Sequence, residues 1–293
     1  MKQQNRAYLL ALTAILFWST MSSAFKITLR YIDPLNLLLF ASFFSSIVLF
    51  ALLLVNGKIH LLRQANWRDI RNSAILGLLN PFLYYLVLFR AYELLPAQEA
   101  GTLNYIWPVV LVLLSIPILK QKINWLSILA ILISFLGIII ISTHGDILSF
   151  EFSNTFGVIL AVGSAVFWAL FFILNMKDQR DENIKIFLNI SFGFVYVLIL
   201  VLLFFEIKLP ESYGLLGVAY IGAFEMGITF VIWLTALRLS SNTARISNLV
   251  YLSPFIALVF IRYAVGEVIL LSTVVGLFFV VCGIILQKYN KYS

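Results

Sequence analysis

Long apolar runs, broken only by short polar connections, leave this chain few ways to fold. A helix that crosses a bilayer needs about 20 consecutive apolar residues, and only closed hydrogen-bonded structures survive in a hydrocarbon core about 30 Å thick. Of the 293 residues, 62% are apolar and 11% charged, which leaves no polar stretch for a soluble domain. Soluble domains carry about 25% charged residues, so that class is excluded, and so is intrinsic disorder. The chain reads as an all-α membrane protein.

The breaks between runs predict ten transmembrane helices. The first five cover 7–29, 35–56, 72–95, 97–119 and 123–143; the second five cover 155–176, 184–206, 213–238, 241–263 and 267–288. Lys2 and Arg6 precede the first run, but Ala7 to Leu29 is too long for a signal-peptide core and reads as a retained span. Arg63, Trp67, Arg68, Asp69 and Arg71 form one polar link, and Lys177 through Glu182 forms another.

Basic residues set the expected orientation. Lys2, Arg6, Lys58, Arg63, Arg68, Arg71, Lys120, Lys122, Lys177, Arg180, Lys185, Arg238, Arg245, Lys288 and Lys291 fall on one side of the membrane; Lys26, Arg30, Arg90, Lys208 and Arg262 fall on the other. Fifteen against five puts both termini in the cytoplasm of a multi-pass cell-membrane protein, and shared sidedness requires an even number of spans. The net charge of +7 is therefore a topology signal. It is scattered, with no basic patch or aromatic RNA-binding motif, and nucleic acid is not expected as a partner. The single Cys282 lies in an apolar run and supports neither a disulfide framework nor a CxxC metal site.

Comparison of the chain with itself shows a duplication. A shift of 150 places Leu10, Ala11, Phe17 and Trp18 on Leu160, Ala161, Phe167 and Trp168. A shift of 145 places Gly77, Asn80 and Ala91 on Gly222, Glu225 and Ala236. A shift of 146 places Leu103, Tyr105, Pro108 and Gly137 on Leu249, Tyr251, Pro254 and Gly283. The halves, 1–145 and 146–293, each hold five expected spans. An odd number inverts the second copy, giving two inverted five-helix repeats. Such repeats recur in secondary transporters, where two opposed copies exchange conformations, although duplication also builds rigid bundles.

These residues also resemble a known family. Phe17–Trp18–Ser19, the tract from Ala91 to Pro108 leading to Gly137, and the tract from Ala236 to Pro254 leading to Glu267 and Gly283 resemble the EamA-type ten-helix members of the drug/metabolite transporter superfamily. The first half is also similar to YddG-type aromatic amino acid exporters, through Trp18-Ser19-Thr20-Met21, Asn104-Tyr105-Ile106-Trp107-Pro108 and Gln121-Lys122-Ile123-Asn124-Trp125-Leu126. In the second half Ser253-Pro254 and Gly266-Glu267 follow the broader family pattern, with Gln121 standing where Glu267 has its counterpart. The resemblance implies a central cavity lined by the first, third and fourth helices of each half. It further implies alternating access for small metabolites, with export of amino acids or related compounds more common than uptake.

The expected substrate-binding residues are Trp18, Asn80, Tyr84, Asn104, Tyr105, Trp168, Glu225, Asn248 and Tyr251. Glu225 lies about eleven residues into its span, near mid-membrane at about 1.5 Å per residue. An ionisable group there costs at least about 2.5 kcal/mol and must be matched by water, a partner or a ligand. Three readings stay open: a carboxylate coupled to protons, an acceptor for a substrate ammonium group, and a structural carboxylate bonded to a nearby Tyr or Thr. Asn80 is its mirror, followed by the helix-bending Pro81. Tyr84 and Thr229, four residues beyond Asn80 and Glu225, are expected on the same faces. On the fourth helix Gly101, Asn104, Tyr105 and Pro108 share a face, and its copy offers Ser247, Val250, Tyr251 and Pro254 beside Asn248. Asn and Tyr there serve a site or interhelical hydrogen bonds. Trp18 and Trp168 lie near mid-span, away from the interfacial belt. Ser164, Trp168, Phe171 and Asn175 share one face.

Arg90, Glu93 and Glu99 gather at one hairpin end, where an Arg90–Glu99 pair is expected as a brace or gate. Lys26 and Arg262 are expected to snorkel, and His60 and His144 to be solvated. No Walker A motif, HExxH or nucleophile elbow occurs, so neither cofactor nor metal is expected, and an integral membrane enzyme is the remote alternative. No filter loop or charged ring suggests a channel. The expected partners are a small-molecule substrate, the lipid bilayer and, under one reading of Glu225, protons. Nucleosides, sugars and drug-like solutes are the alternatives to amino acids.

Overall fold

A computed structural model of the chain describes residues 2–120, 125–146, 153–240, 246 and 249–289. Among them the structure is helical, with no strand. In chain order the principal helices are α1 (Lys2–Thr28), α2 (Pro34–Val55), α3 (Trp67–Leu94), α4 (Ala97–Ile118), α5 (Trp125–Ser142), α6 (Thr155–Met176), α7 (Glu182–Phe204), α8 (Ser212–Leu239), α9 (Val250–Val265) and α10 (Leu271–Tyr289). Seven of them, α1 to α4 and α6 to α8, are long and apolar enough to cross a membrane. The expected fifth, ninth and tenth spans coincide with shorter apolar helices of 10–17 residues, at Ile128–Ser142, Val250–Val265 and Leu271–Leu286.

Local chemistry sets the helix starts. Asp33 accepts hydrogen bonds from the backbone of Leu35 and Asn36 ahead of α2, with Pro34 in the first turn, where its missing N–H costs nothing. Asn66 and Asp69 form a reciprocal capping box. For this reason α3 begins at Trp67, five residues before the expected span, and the polar link containing Arg68 and Arg71 is partly helical. Asn154 and Asp181 cap α6 and α7. The last helix begins at Leu271 rather than 267, because Gln98 takes the backbone N–H of Leu270 and the carbonyl of Val268.

Three of the helices that matter for the site are broken. In α3, Asn80 has φ −146° and ψ 119°, the extended conformation that a following proline favours, and the Asn80–Pro81 peptide is cis. In α8, residues Ile221–Ile228 form a π-helical stretch without proline. Pro108 has no N–H to return to Asn104, and α4 loosens between Asn104 and Trp107.

Helices pack mainly on partners from the other half of the chain. α1 lies against the second part of α8 and α9, and α6 lies against the second part of α3 and α4. α2 packs on α7, and α5 on α10. Small residues allow close crossings. A Cβ on Gly77 of α3 would stand 2.5 Å from the Asn189 carbonyl of α7, and one on Gly193 would enter the Pro81 ring. Polar links reinforce the packing: the Ser19 and Ser253 hydroxyls lie 3.2 Å apart, and the Thr20 and Tyr220 hydroxyls 2.7 Å apart.

Both ends of the bundle are braced. At one end Lys58 pairs with Asp181 at 2.6 Å, and Arg180 reaches Asp178, the Asp69 carbonyl and Ser73. At the other end the expected Arg90–Glu99 pair is replaced. Arg90 binds Glu93, three residues along the same helix, while the fully buried Glu99 binds His144 Nε2 and Ser153 Oγ, each at 2.5 Å. His144 is therefore a partner, not a freely solvated side chain. Lys26 does not snorkel either: its ammonium donates to the carbonyls of Tyr92 and Leu95, which the end of α3 leaves unpaired. Glu267 accepts from the backbone N–H groups of Ala97 and Gln98 and caps α4 from the other half of the chain.

Candidate substrate cavity

The breaks in α3, α4 and α8 surround a cavity of about 530 Å³, within the range of small-molecule sites. Trp18, Asn80, Tyr84, Asn104, Tyr105, Trp168, Glu225 and Tyr251 all line it. Asn248 and Ser247 lie outside the described residues. Gly101, Pro108, Val250 and Pro254 also border it, as do Trp168, Phe171 and Asn175 of the α6 face. Ser164, expected on that face, turns instead toward α4.

Glu225 sits in the π-helical stretch of α8. Its Oε1 accepts a hydrogen bond from the Tyr85 hydroxyl at 3.0 Å, while Oε2 is buried with no hydrogen-bond partner. A π turn carries the chain past the ordinary i+4 position. Phe230, five residues on, therefore lines the cavity, whereas the expected Thr229 is buried outside it with an unpaired hydroxyl. The break at Asn80 likewise cancels the helical register on which Tyr84 was placed above it. Tyr84 and Tyr85 both reach the cavity, and it is Tyr85 that holds the carboxylate.

Asn104 is fully engaged between helices. Its Oδ1 accepts from Tyr84 at 3.1 Å and its Nδ2 donates to Ser164 at 2.8 Å; Ser164 then donates to the Ala161 carbonyl. Tyr105 donates to the Val250 carbonyl at 2.7 Å, joining α4 to α9. These contacts are the interhelical hydrogen bonds that polar residues in such helices require.

Two carboxamides are unsatisfied. Asn80 is buried and its Oδ1 has no partner. Asn189 of α7 also lines the cavity, is 2% exposed, and has neither Oδ1 nor Nδ2 paired. A buried unpaired amide costs about 1–3 kcal/mol per group, so such atoms mark places where a ligand or another conformation supplies the partner. Sequence reasoning passed over Asn189 because its counterpart by shift is an ordinary apolar position. The one available signal was an Asn well inside an apolar run.

Aromatic rings form a continuous wall. Tyr85 meets Tyr84 with centroids 4.7 Å apart, and Tyr84 meets Trp168 at 5.0 Å. The wall continues from Trp168 to Phe230 at 6.1 Å, then through Trp18 at 5.7 Å to Trp233 at 5.4 Å. Trp18 and Trp168 are thus cavity residues rather than interfacial anchors. Among the described residues the charged groups lining the cavity are Glu182 and Glu225, and no cluster of His, Cys, Asp and Glu is suited to a metal ion.

Known proteins share this arrangement of helices. The EamA-like transporter family matches residues 5–143 and 155–287, nearly the whole chain in two segments. An uncharacterized transporter of Clostridium kluyveri is 24% identical, with 97% of this chain and 93% of that protein covered. The uncharacterized transporter YvbV of Bacillus subtilis is 26% identical, covering 98% and 93%. One protein of known crystal structure has the same fold, with a TM-score of 0.67 at 22% identity and coverage of 97% and 96%. With the family model covering nearly the whole chain and the relatives named as transporters, the chain belongs to the EamA-like transporter family of the drug/metabolite transporter superfamily, and it is a multi-pass membrane transporter, not an enzyme.

Proposed function

We propose that the protein is a secondary transporter of the cell membrane that exports small metabolites carrying an amino group, amino acids foremost, by alternating access. The observation that carries this reading is the Glu225 carboxylate, with one buried oxygen unpaired, lining a cavity walled by aromatic rings. Ten spans in two inverted repeats, 1–145 and 146–293, with both termini cytoplasmic, provide the moving parts. The exchange of partners supports this topology: α1 packs on α8 and α9 as α6 packs on α3 and α4. The likeness of the first half to YddG-type aromatic amino acid exporters supports the choice of solute.

Trp18, Tyr84, Trp168 and Tyr251 shape the cavity, and Asn80, Asn104, Tyr105 and Glu225 supply its polar groups, with Asn248 adjoining. Glu225 binds the ammonium group in one half of the cycle and a proton in the other. Selective rupture of one end brace, either that of Lys58 and Arg180 or that of Glu99 and Glu267, opens the cavity to one side of the membrane. The test is counterflow in proteoliposomes preloaded with unlabelled amino acids, nucleosides or sugars. Acceleration by amino acids, lost in Glu225→Gln, supports the proposal. Acceleration confined to nucleosides or sugars removes the amino group from it, and acceleration that survives the substitution removes Glu225 from the cycle.

A further inference from the structure

The unpaired groups in the cavity narrow the substrate further. Glu225 has only the neutral Tyr85 as partner, whereas the second lining carboxylate, Glu182, is matched by Lys185 at 2.8 Å. Among the described residues no Lys, Arg or His lines the cavity, and the cations nearest in the fold are occupied. Lys26 is held by two backbone carbonyls, Lys185 by Glu182 and the Asp178 carbonyl, and Arg180 by Asp178 and Ser73. Three of the tyrosine hydroxyls are spent as well: Tyr84 on Asn104, Tyr85 on Glu225, and Tyr105 on Val250.

A positive group therefore finds a carboxylate and, beginning at Tyr85, a run of aromatic faces that attract cations within about 6 Å. A negative group finds no opposite charge, and an uncompensated charge in a site of low dielectric is strongly disfavoured. Asn189 adds a second criterion. Its buried carboxamide carries an unpaired carbonyl acceptor and an unpaired NH2 group at the cavity wall. A carboxylate bears acceptors only and leaves Asn189 Oδ1 facing an anion; a carboxamide satisfies both atoms.

We infer that the cavity selects a monocation with an aromatic body and a neutral polar group, so that an amino amide or an amine is favoured over the corresponding zwitterionic amino acid. This rests on the transport reading above and changes the order of its amino-group substrates, placing amines and amino amides ahead of amino acids. The experiment compares tryptophanamide, tryptamine and tryptophan as counterflow substrates of the parent protein at one pH near neutrality. The expected result is strongest acceleration by the amide, then the amine, with tryptophan weaker than either by about tenfold or more. In Asn189→Leu, the amide is expected to lose its advantage over the amine while the amine continues to exchange.

Tryptophan equal to or better than the other two overturns the inference and leaves transport standing. So does exchange of unrelated solutes with none of the three. If no solute of any class exchanges, the transport reading fails, and melting of the detergent-purified protein decides binding separately. Stabilisation by tryptophanamide exceeding that by tryptophan upholds the selectivity, and the reverse order, or no stabilisation, overturns it.

Discussion

Glu225 shows how a single side chain is held in a low-dielectric interior by incomplete pairing. One oxygen has the Tyr85 hydroxyl and the other has nothing. Tyr85→Phe removes the only hydrogen bond and is expected to lower stability by about 1–3 kcal/mol, the cost of stranding a buried polar group. In a Glu225→Gln background the same change should cost less, because a carboxamide is neutral and the pair no longer carries charge. A double-mutant cycle read by thermal melting in detergent measures that difference; costs that simply add would mean that Tyr85 acts by packing alone. The depth of Glu225 was legible in the sequence because counting residues along a helix measures distance across a membrane. A Tyr partner was among the open readings, but which Tyr was not legible, since the i+4 rule assumes an unbroken helix, and both α3 and α8 depart from one at the residues concerned. Glu99 misled for a different reason. Its partner His144 lies 45 residues away, beyond the reach of any local spacing.

Among the elements, α3 and α7 approach closely enough that their backbones nearly touch. Gly77→Ala would place a methyl group 2.5 Å from the Asn189 carbonyl and is expected to destabilise the protein by about 1–3 kcal/mol, as overpacking does. A melting temperature equal to that of the parent would show that the helices separate freely. The same shift would displace Asn189, so substrate exchange should fall with stability. Helix existence was readable throughout from apolar runs, but helix starts were not. α3 begins five residues early because Asn66 and Asp69 cap one another, and α10 begins late because Gln98 of another helix occupies the preceding backbone. The first of these signals is local and was overlooked; the second is tertiary and invisible to a reading along the chain.

Over the whole molecule, side chains from the two halves lock both ends of the bundle. At the end built around 177–182, partial burial pushes the Asp178 carboxyl up, but the hydrogen bonds and charge of Arg180, with Lys185 behind, outweigh it and hold it below the usual carboxylate range. A carboxyl held low in the folded chain contributes stability above its ordinary value of about 3.9 and loses that contribution as falling pH titrates it. Melting temperature should therefore rise as pH increases from about 2 to about 4. In Arg180→Ala the rise should be smaller; an unchanged acid limb would exclude the Arg180 brace as its source. The proposed division into equal halves rests on a nearly constant offset in the sequence. Which helix of one half meets which of the other was not visible there, because offset similarity carries no information about partners.

The bond between Ser19 and Ser253 has a consequence for how the protein is made. The two residues are separated by 234 positions, and α1 finds its principal neighbours only in α8 and α9. A chain synthesised from its N-terminus must therefore release its first helix into lipid long before its principal neighbours exist, with only α3 and α4 to meet in the meantime. During that wait, Ser19 returns its hydroxyl to the Ile15 carbonyl of its own helix, a bond the finished protein retains at 2.7 Å. The newborn helix thus carries its own satisfaction for a polar group whose distant partner has yet to leave the ribosome.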